Sequence, residues 1–152
     1  MGPDARELTD VVARLRRALR RSIRSDYPWE SRPMAQVEVL QTLRDAGPIR
    51  LGDLAVRLNL AQSTVSTLVG RLLTDGLVDR GVDRQDRRAA VLSLSSAGRA
   101  DLAAWDDAHQ QRLGQALAAL PAEEQRRIAA ALPALGQLVQ ALEAEPASPP
   151  PS

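Results

Sequence analysis

The stretch "LGDLAVRLNLAQSTVSTLVGR", Leu51 to Arg71, decides how this chain folds. Its apolar positions Leu54, Leu58, Leu60, Val65 and Leu68 fit two short helices crossing over a shared core, with small Ala55 where they approach most closely. Asn59 falls in the turn, and asparagine is the residue after glycine that best tolerates a left-handed backbone. This is helix-turn-helix spacing. The second helix is expected to bury Val65, Leu68, Val69 and Leu72, which leaves Ser63, Thr64, Ser66, Thr67, Gly70, Arg71 and Thr74 facing outward. A face of short hydroxyls with one arginine and no acid can lie deep in a major groove, where long or negative side chains would be excluded. The alternative for such a face is plain solvation.

Working outward, "MAQVEVLQTLRDAGP" predicts a preceding helix closed by Gly47 in the left-handed position, with Pro48 just beyond. Downstream, Gly76 ends the second helix of the motif, and "LVDRGV" and "AVLSLS" read as two strands of a hairpin. Between and after them runs "DRQDRRAAVLSLSSAGR", Asp83 to Arg99, which gathers arginines at the hairpin tip. Val91, Leu92 and Leu94 are strand formers, and Ser95 stands where a helix N-cap belongs. Helix-turn-helix plus hairpin is a winged helix.

Helices flank this lobe on both sides. Leu8, Val12, Leu15, Leu19 and Ile23 make one apolar stripe on a helix expected from about Ala5 to Ser25, with Arg14, Arg17, Arg21 and Arg24 on another side. "RSDYPWESRP" breaks it. After Ser95 a long helix is expected to bury Leu102, Trp105, His109, Leu113, Leu117 and Leu120. Pro121, at a helix N1 position, opens a last helix whose Ile128, Leu132, Leu135, Val139 and Leu142 form a seam like that of a coiled coil. Pro133 lies inside that seam and removes one helical hydrogen bond, which predicts a kink or short break near Ala129. The tail "EPASPPPS" is expected to be disordered.

Composition narrows the function. The chain has 152 residues, enough for one modest core, and no break in composition suggests two independent domains. With no cysteine, disulfides, thiolate zinc sites and thiol redox sensing are excluded, and a single histidine argues against a histidine metal site. No metal and no cofactor is expected, and the chain is not expected to be an enzyme. His109 lies on an apolar helix stripe with no second histidine, as a packed histidine would. There is no apolar run of membrane length and no signal-peptide pattern, so the expectation is a cytoplasmic, nucleoid-associated protein without a membrane partner. Net charge is only +1, but it is unevenly spread: residues 1–100 hold 17 arginines against 12 acids, and residues 101–152 hold 3 against 7. Every cation is arginine, whose planar fork suits phosphates and narrow grooves.

Order of elements and residues together resemble the MarR family of bacterial winged helix-turn-helix regulators, from about Ala5 to Leu142. "DRQDRRAAVLSLSSAGR" looks like that family's wing signature, Asp, two variable residues, Asp-Arg-Arg, a β-run and a Ser/Thr-x-x-Gly-Arg helix start. "LGDLAVRL" and "STVSTLVGRL" match its two motif helices. The resemblance implies a mainly α (α+β) fold: a winged helix-turn-helix lobe at residues 47–95, with helices at 5–46 and 96–143 forming an intertwined dimerisation domain, and tails at 1–4 and 144–152. It implies a homodimer on palindromic double-stranded DNA, with Gln62, Ser63, Thr64, Ser66, Thr67 and Arg71 in the major groove. Arg84, Arg87 and Arg88 would enter the minor groove, oriented by Asp86. Dimerisation would use Leu8, Val12, Leu15, Ile128, Leu132, Leu135, Val139 and Leu142. A small aromatic or phenolic effector would sit among Arg24, Tyr27, Trp29, Arg32, Trp105 and His109.

The chain departs from the family pattern at several positions. Gln62 and Thr67 stand where many relatives carry a cation, Gly70 replaces a frequent acid, and Arg50 replaces a common hydroxyl cap. Ala61 occupies a helix-cap position at a cost of about 1 kcal/mol relative to Asp unless Ser63 caps instead. Binding is therefore expected to lean on the wing. The alternative function is a winged-helix module that binds a protein partner rather than DNA, using the arginine stripe of the first helix.

Overall fold

The computed structural model describes residues 4–23 and 32–144. They form α1 (Ala5–Ile23), α2 (Met34–Ala46), α3 (Leu51–Leu58), α4 (Gln62–Thr74), β1 (Val78–Val82), β2 (Ala90–Leu94), α5 (Ser96–Ala118) and α6 (Ala122–Ala144). The fold is a winged helix-turn-helix with additional helices on both sides. Two compact units divide it, residues 1–110 and 111–152. Among the described residues no helix is long and apolar enough to cross a membrane, and no group of three or more potential ligands is placed to hold a metal.

In the first unit the helix-turn-helix forms because its apolar residues converge. Leu54, Ala55, Val65, Val69 and Leu72 are buried together with Val39, Leu40 and Leu43 of α2 and Leu92 and Leu94 of β2. Leu68, expected in that core, is half-buried and packs at its edge. Asn59 takes φ 51° and ψ 45°, the left-handed conformation expected of it, and its N–H reaches the carbonyls of Ala55 and Val56. Gly47 likewise takes a positive φ of 71°, and its N–H bonds the Leu43 carbonyl to close α2.

The strands pair antiparallel, with Val78 opposite Leu94 and Val82 opposite Ala90. A contact without a sequence signal extends this sheet: Ile49 bridges Leu92, its N–H donating to the Leu92 carbonyl at 3.0 Å and its own carbonyl accepting from Leu92 N–H at 2.8 Å. The entry to α3 is thereby fixed on the wing.

Ser95 performs the capping expected of it and more. Its hydroxyl accepts from Gly98 N–H at 2.9 Å and donates to the Gly76 carbonyl at 2.6 Å. Three residues on, Gly98 lies against the backbone of Leu77 so closely that a Cβ there would stand 2.0 Å from the Leu77 carbonyl oxygen. The serine and the glycine together lock the start of α5 onto the Gly76–Leu77 link between α4 and β1.

Several expectations at the ends need correction. α1 is assigned only to Ile23, and Ser25 lies outside the described residues. Leu8 and Leu19 are half-buried, Ile23 is buried, and Val12 and Leu15 are exposed. On α5, Leu102 is buried and Trp105, His109 and Leu113 are half-buried, but Leu117 is exposed, as is Leu120 just past the helix end. Helical spacing identifies an apolar stripe without saying what covers it. α6 begins at Ala122, so Pro121 precedes it as the residue whose carbonyl accepts from Gln125 N–H, one position earlier than expected. It runs unbroken through Pro133 to Ala144, without the short break near Ala129. Ala129 and Pro133 are both exposed, so a helical hydrogen bond lost at Pro133 is not lost in a dry core. Of the expected tail, Ala144 ends this helix and the rest lies outside the described residues.

Candidate nucleic-acid interface

α4 presents the face that the sequence pattern implied. Gln62, Ser63, Thr64, Ser66, Thr67, Gly70, Arg71 and Thr74 are all exposed, while Val65, Val69 and Leu72 point into the core. The helix holds no acid anywhere, so nothing on it repels phosphate. Two of its hydroxyls are engaged by their own helix: Thr67 Oγ1 donates to the Ser63 carbonyl at 3.1 Å and Thr74 Oγ1 to that of Gly70 at 3.0 Å. Each keeps its lone pairs as acceptors for an incoming donor. At the N-terminus Ala61 offers no side-chain cap, and among the described residues the Ser63 hydroxyl makes no hydrogen bond in its place. The first amides of α4 are thus left for water or an anion.

The wing tip is built from two short side-chain turns. Asp83 Oδ1 accepts from Gln85 N–H at 2.9 Å and Asp86 Oδ1 from Arg88 N–H at 3.0 Å. Ala89 N–H closes the loop on the Asp86 carbonyl at 2.9 Å. Such aspartate-to-backbone bonds set a tight turn without glycine. Asp86 thus orders the tip through the Arg88 backbone amide. Arg84, Arg87 and Arg88 are exposed and make no ion pair among the described residues.

Sequence reasoning missed the role of Arg50. Placed at the N-cap of α3, it makes no cap hydrogen bond and instead reaches across to the wing, its Nε and Nη2 donating to Asp83 Oδ2 at 2.8 and 2.6 Å. Asp86 Oδ2 lies 3.8 Å from the same Nη2. The Gln85 amide bond, followed by that of Arg50, holds the Asp83 carboxyl below the usual carboxylate range, and the Asp83 hydrogen bond pushes Arg50 further up. An arginine thirty-odd positions away in sequence leaves no periodic trace, so only its anomaly as a cap could have pointed to it.

Of the expected effector residues, Arg32, Trp105 and His109 lie among the described ones. Arg24, Tyr27 and Trp29 lie outside the described residues. Arg32 is committed, its Nη1 donating to Gln36 Oε1 and Asp75 Oδ2, both at 2.8 Å. Trp105 packs on the edge of the core and stacks on His109, ring centroids 3.8 Å apart, with His109 Nδ1 2.8 Å from the Trp105 carbonyl oxygen. Of the expected dimer contacts, Ile128, Leu132, Leu135, Val139 and Leu142 are all exposed on α6, where no residue is buried.

Residues 33–90 match the model of the MarR family. The chain is 30% identical over 121 residues to the HTH-type transcriptional regulator Mb0904 of Mycobacterium bovis, a match covering 80% of this chain and 84% of that one. The chain belongs to the MarR family. It is accordingly a transcriptional regulator and not an enzyme. Solved structures agree on the fold: RV1404 of Mycobacterium tuberculosis superposes with a TM-score of 0.77 at 24% identity, over 98% of this chain and 100% of that one. FabT of Streptococcus pneumoniae, solved in complex with DNA, gives 0.70 at 18% identity, over 91% and 99%. The MarR match spans the helix-turn-helix and the wing tip, the elements that carry α4's polar face and the arginines.

Proposed function

We propose that this MarR-family regulator is a homodimeric, sequence-specific double-stranded DNA-binding repressor that leaves a palindromic site when a small aromatic or phenolic effector binds. The observation that carries the DNA reading is the pairing of an acid-free, exposed α4 with three exposed wing arginines not engaged in ion pairs. Short hydroxyls and Arg71 would meet base edges, and Arg84, Arg87 and Arg88 would meet the flanking minor groove. FabT, whose fold this chain shares, was solved bound to DNA. The dimer reading rests on the apolar residues of α6, which one chain leaves in water. The effector reading rests on the half-buried Trp105 and His109 pair, with Arg32, which bonds Asp75 through Nη1, as the described arginine expected to hold an effector's carboxylate.

Selection from random duplexes tests the central claim. The expected result is an inverted repeat with half-site centres about 10 base pairs apart, bound with an affinity that falls steeply with salt as counterions are released. Recovery of no symmetric motif, with salt-independent affinity, would move the function to a protein partner. Aromatic acids added to the complex should release DNA and quench tryptophan emission, an effect that Trp105→Ala removes.

A further inference from the structure

Arg50 stands out as a charged side chain that the family pattern does not call for and that the fold has given a long-range task. Its backbone is pinned, because the preceding Ile49 is hydrogen-bonded both ways to Leu92 of β2. Its side chain spans from the start of α3 to the wing tip, where it meets Asp83 at 2.6 Å and faces Asp86 at 3.8 Å. Both carboxylates divide their labour identically. One oxygen of each holds a backbone amide of the turn, and the other faces Arg50.

We propose that Arg50 is a positioning residue for DNA recognition, a latch that fixes the wing tip on α3 and keeps Arg84, Arg87 and Arg88 free for the minor groove. This rests on the DNA-binding reading above. Two carboxylates at the tip would otherwise be the nearest partners for those three arginines, and each arginine drawn into such a pair would be lost to phosphate. By bonding the outward oxygen of Asp83 and facing that of Asp86, Arg50 counters the charge of both acids while the tip cations stay exposed. It also sets the pose of the turn relative to a rigid helix, which is what a groove of fixed width requires. An exposed ion pair contributes little to global stability, so the effect should appear in recognition and not in unfolding.

The test is a mutant cycle on the full chain with two readouts. In the free protein, Arg50→Gln should speed hydrogen exchange of the Gln85 and Arg88 amides, with an unchanged thermal midpoint. On duplexes carrying the selected site, R50Q should weaken binding roughly tenfold when the flanks are A·T-rich and much less when they are G·C-rich. Added to R87A/R88A, the same change should cost much less, because two of the three arginines it positions are already gone. R50K, which keeps the charge but not the fork, should recover part of the loss. Unchanged amide exchange would overturn the latch. So would a full additional loss in the R87A/R88A background, since Arg50 would then be contacting DNA by itself. If exchange quickens but the wild type binds no duplex, the latch survives as a structural fact while its role in recognition falls together with the DNA reading.

Discussion

Two regions of this chain treat their apolar residues in opposite ways. In the core of the winged lobe and the helices packed on it, Leu40, Leu54, Val65, Leu72 and Leu102 are essentially closed to water, packed by helices and strands of the same chain. On α6, a helix of 23 residues, nothing is buried, and Leu132 and Leu142 are 58% and 65% exposed. The same leucine spacing produces both. Burying one such side chain is worth about 1.5–3 kcal/mol, so a stripe of five left in water is a large unrealised stabilisation. The lobe closes its core within one chain, whereas the α6 seam stays open to water in one chain, which is the observation behind the proposed homodimer.

The largest expected effect attacks that contrast directly. Leu135→Glu with Val139→Glu should convert a dimer at micromolar concentration into a monomer by light scattering, since a two-fold interface pays for each buried charge twice. Far-ultraviolet circular dichroism should retain the signal of the lobe. A wild-type chain of monomeric mass would break the comparison, leaving α6 as a solvated helix.

Next in size is a pair of identical substitutions with opposite outcomes. Gly98→Ala places a Cβ 2.0 Å from the Leu77 carbonyl oxygen, so backbone must move, at a cost of about 3 kcal/mol. Gly114→Ala, at the far end of α5, meets nothing within 4 Å and should stabilise by up to about 1 kcal/mol through helix propensity alone. Thermal unfolding of the two variants measures both signs. Smaller again is Ser95→Ala, which orphans the Gly98 amide and the Gly76 carbonyl and should cost about 1–2 kcal/mol in the same assay.

The legibility of the molecule follows the range of the forces involved. Asn59, Gly47 and Ser95 were readable because a turn or cap is decided within a few residues, and the α4 face was readable because helical periodicity sorts inside from outside. What escaped was long-range and singular. The Ile49 bridge to Leu92 involves one residue pair and has no pattern to announce it, and Arg50 reaches Asp83 through a flexible side chain across an intervening helix-turn-helix. Leu117 and Leu120 were misassigned to the interior for a different reason, that an apolar stripe reads the same whether its cover is its own chain or another. At the candidate site the exposed groups of α4 and the wing could be named in advance; of the expected effector residues Arg24, Tyr27 and Trp29 lie outside the described residues, Arg32 bonds Gln36 and Asp75, and Trp105 packs on His109.

The smallest expected effect sharpens the contrast within the lobe itself, between a core held by burial and a tip held by polar contacts open to water. Asp83 titrates below the ordinary carboxylate value of about 3.9, first because Gln85 N–H bonds its Oδ1 and second because Arg50 bonds its Oδ2. Its folded-state pKa is depressed, so the ordering it supplies is fully present above the unfolded value and is lost as pH falls through the folded one. Acidification below about pH 4 should therefore loosen the tip while Arg50 stays charged and the apolar core, which contains no carboxylate, is untouched by this step. Carboxyl-carbon chemical shifts followed by NMR should place the Asp83 midpoint beneath the ordinary aspartate value. In R50Q the midpoint should rise only part of the way, because the Gln85 amide remains. A return to the ordinary value would assign the whole depression to Arg50, and no rise at all would leave the amide as its sole cause.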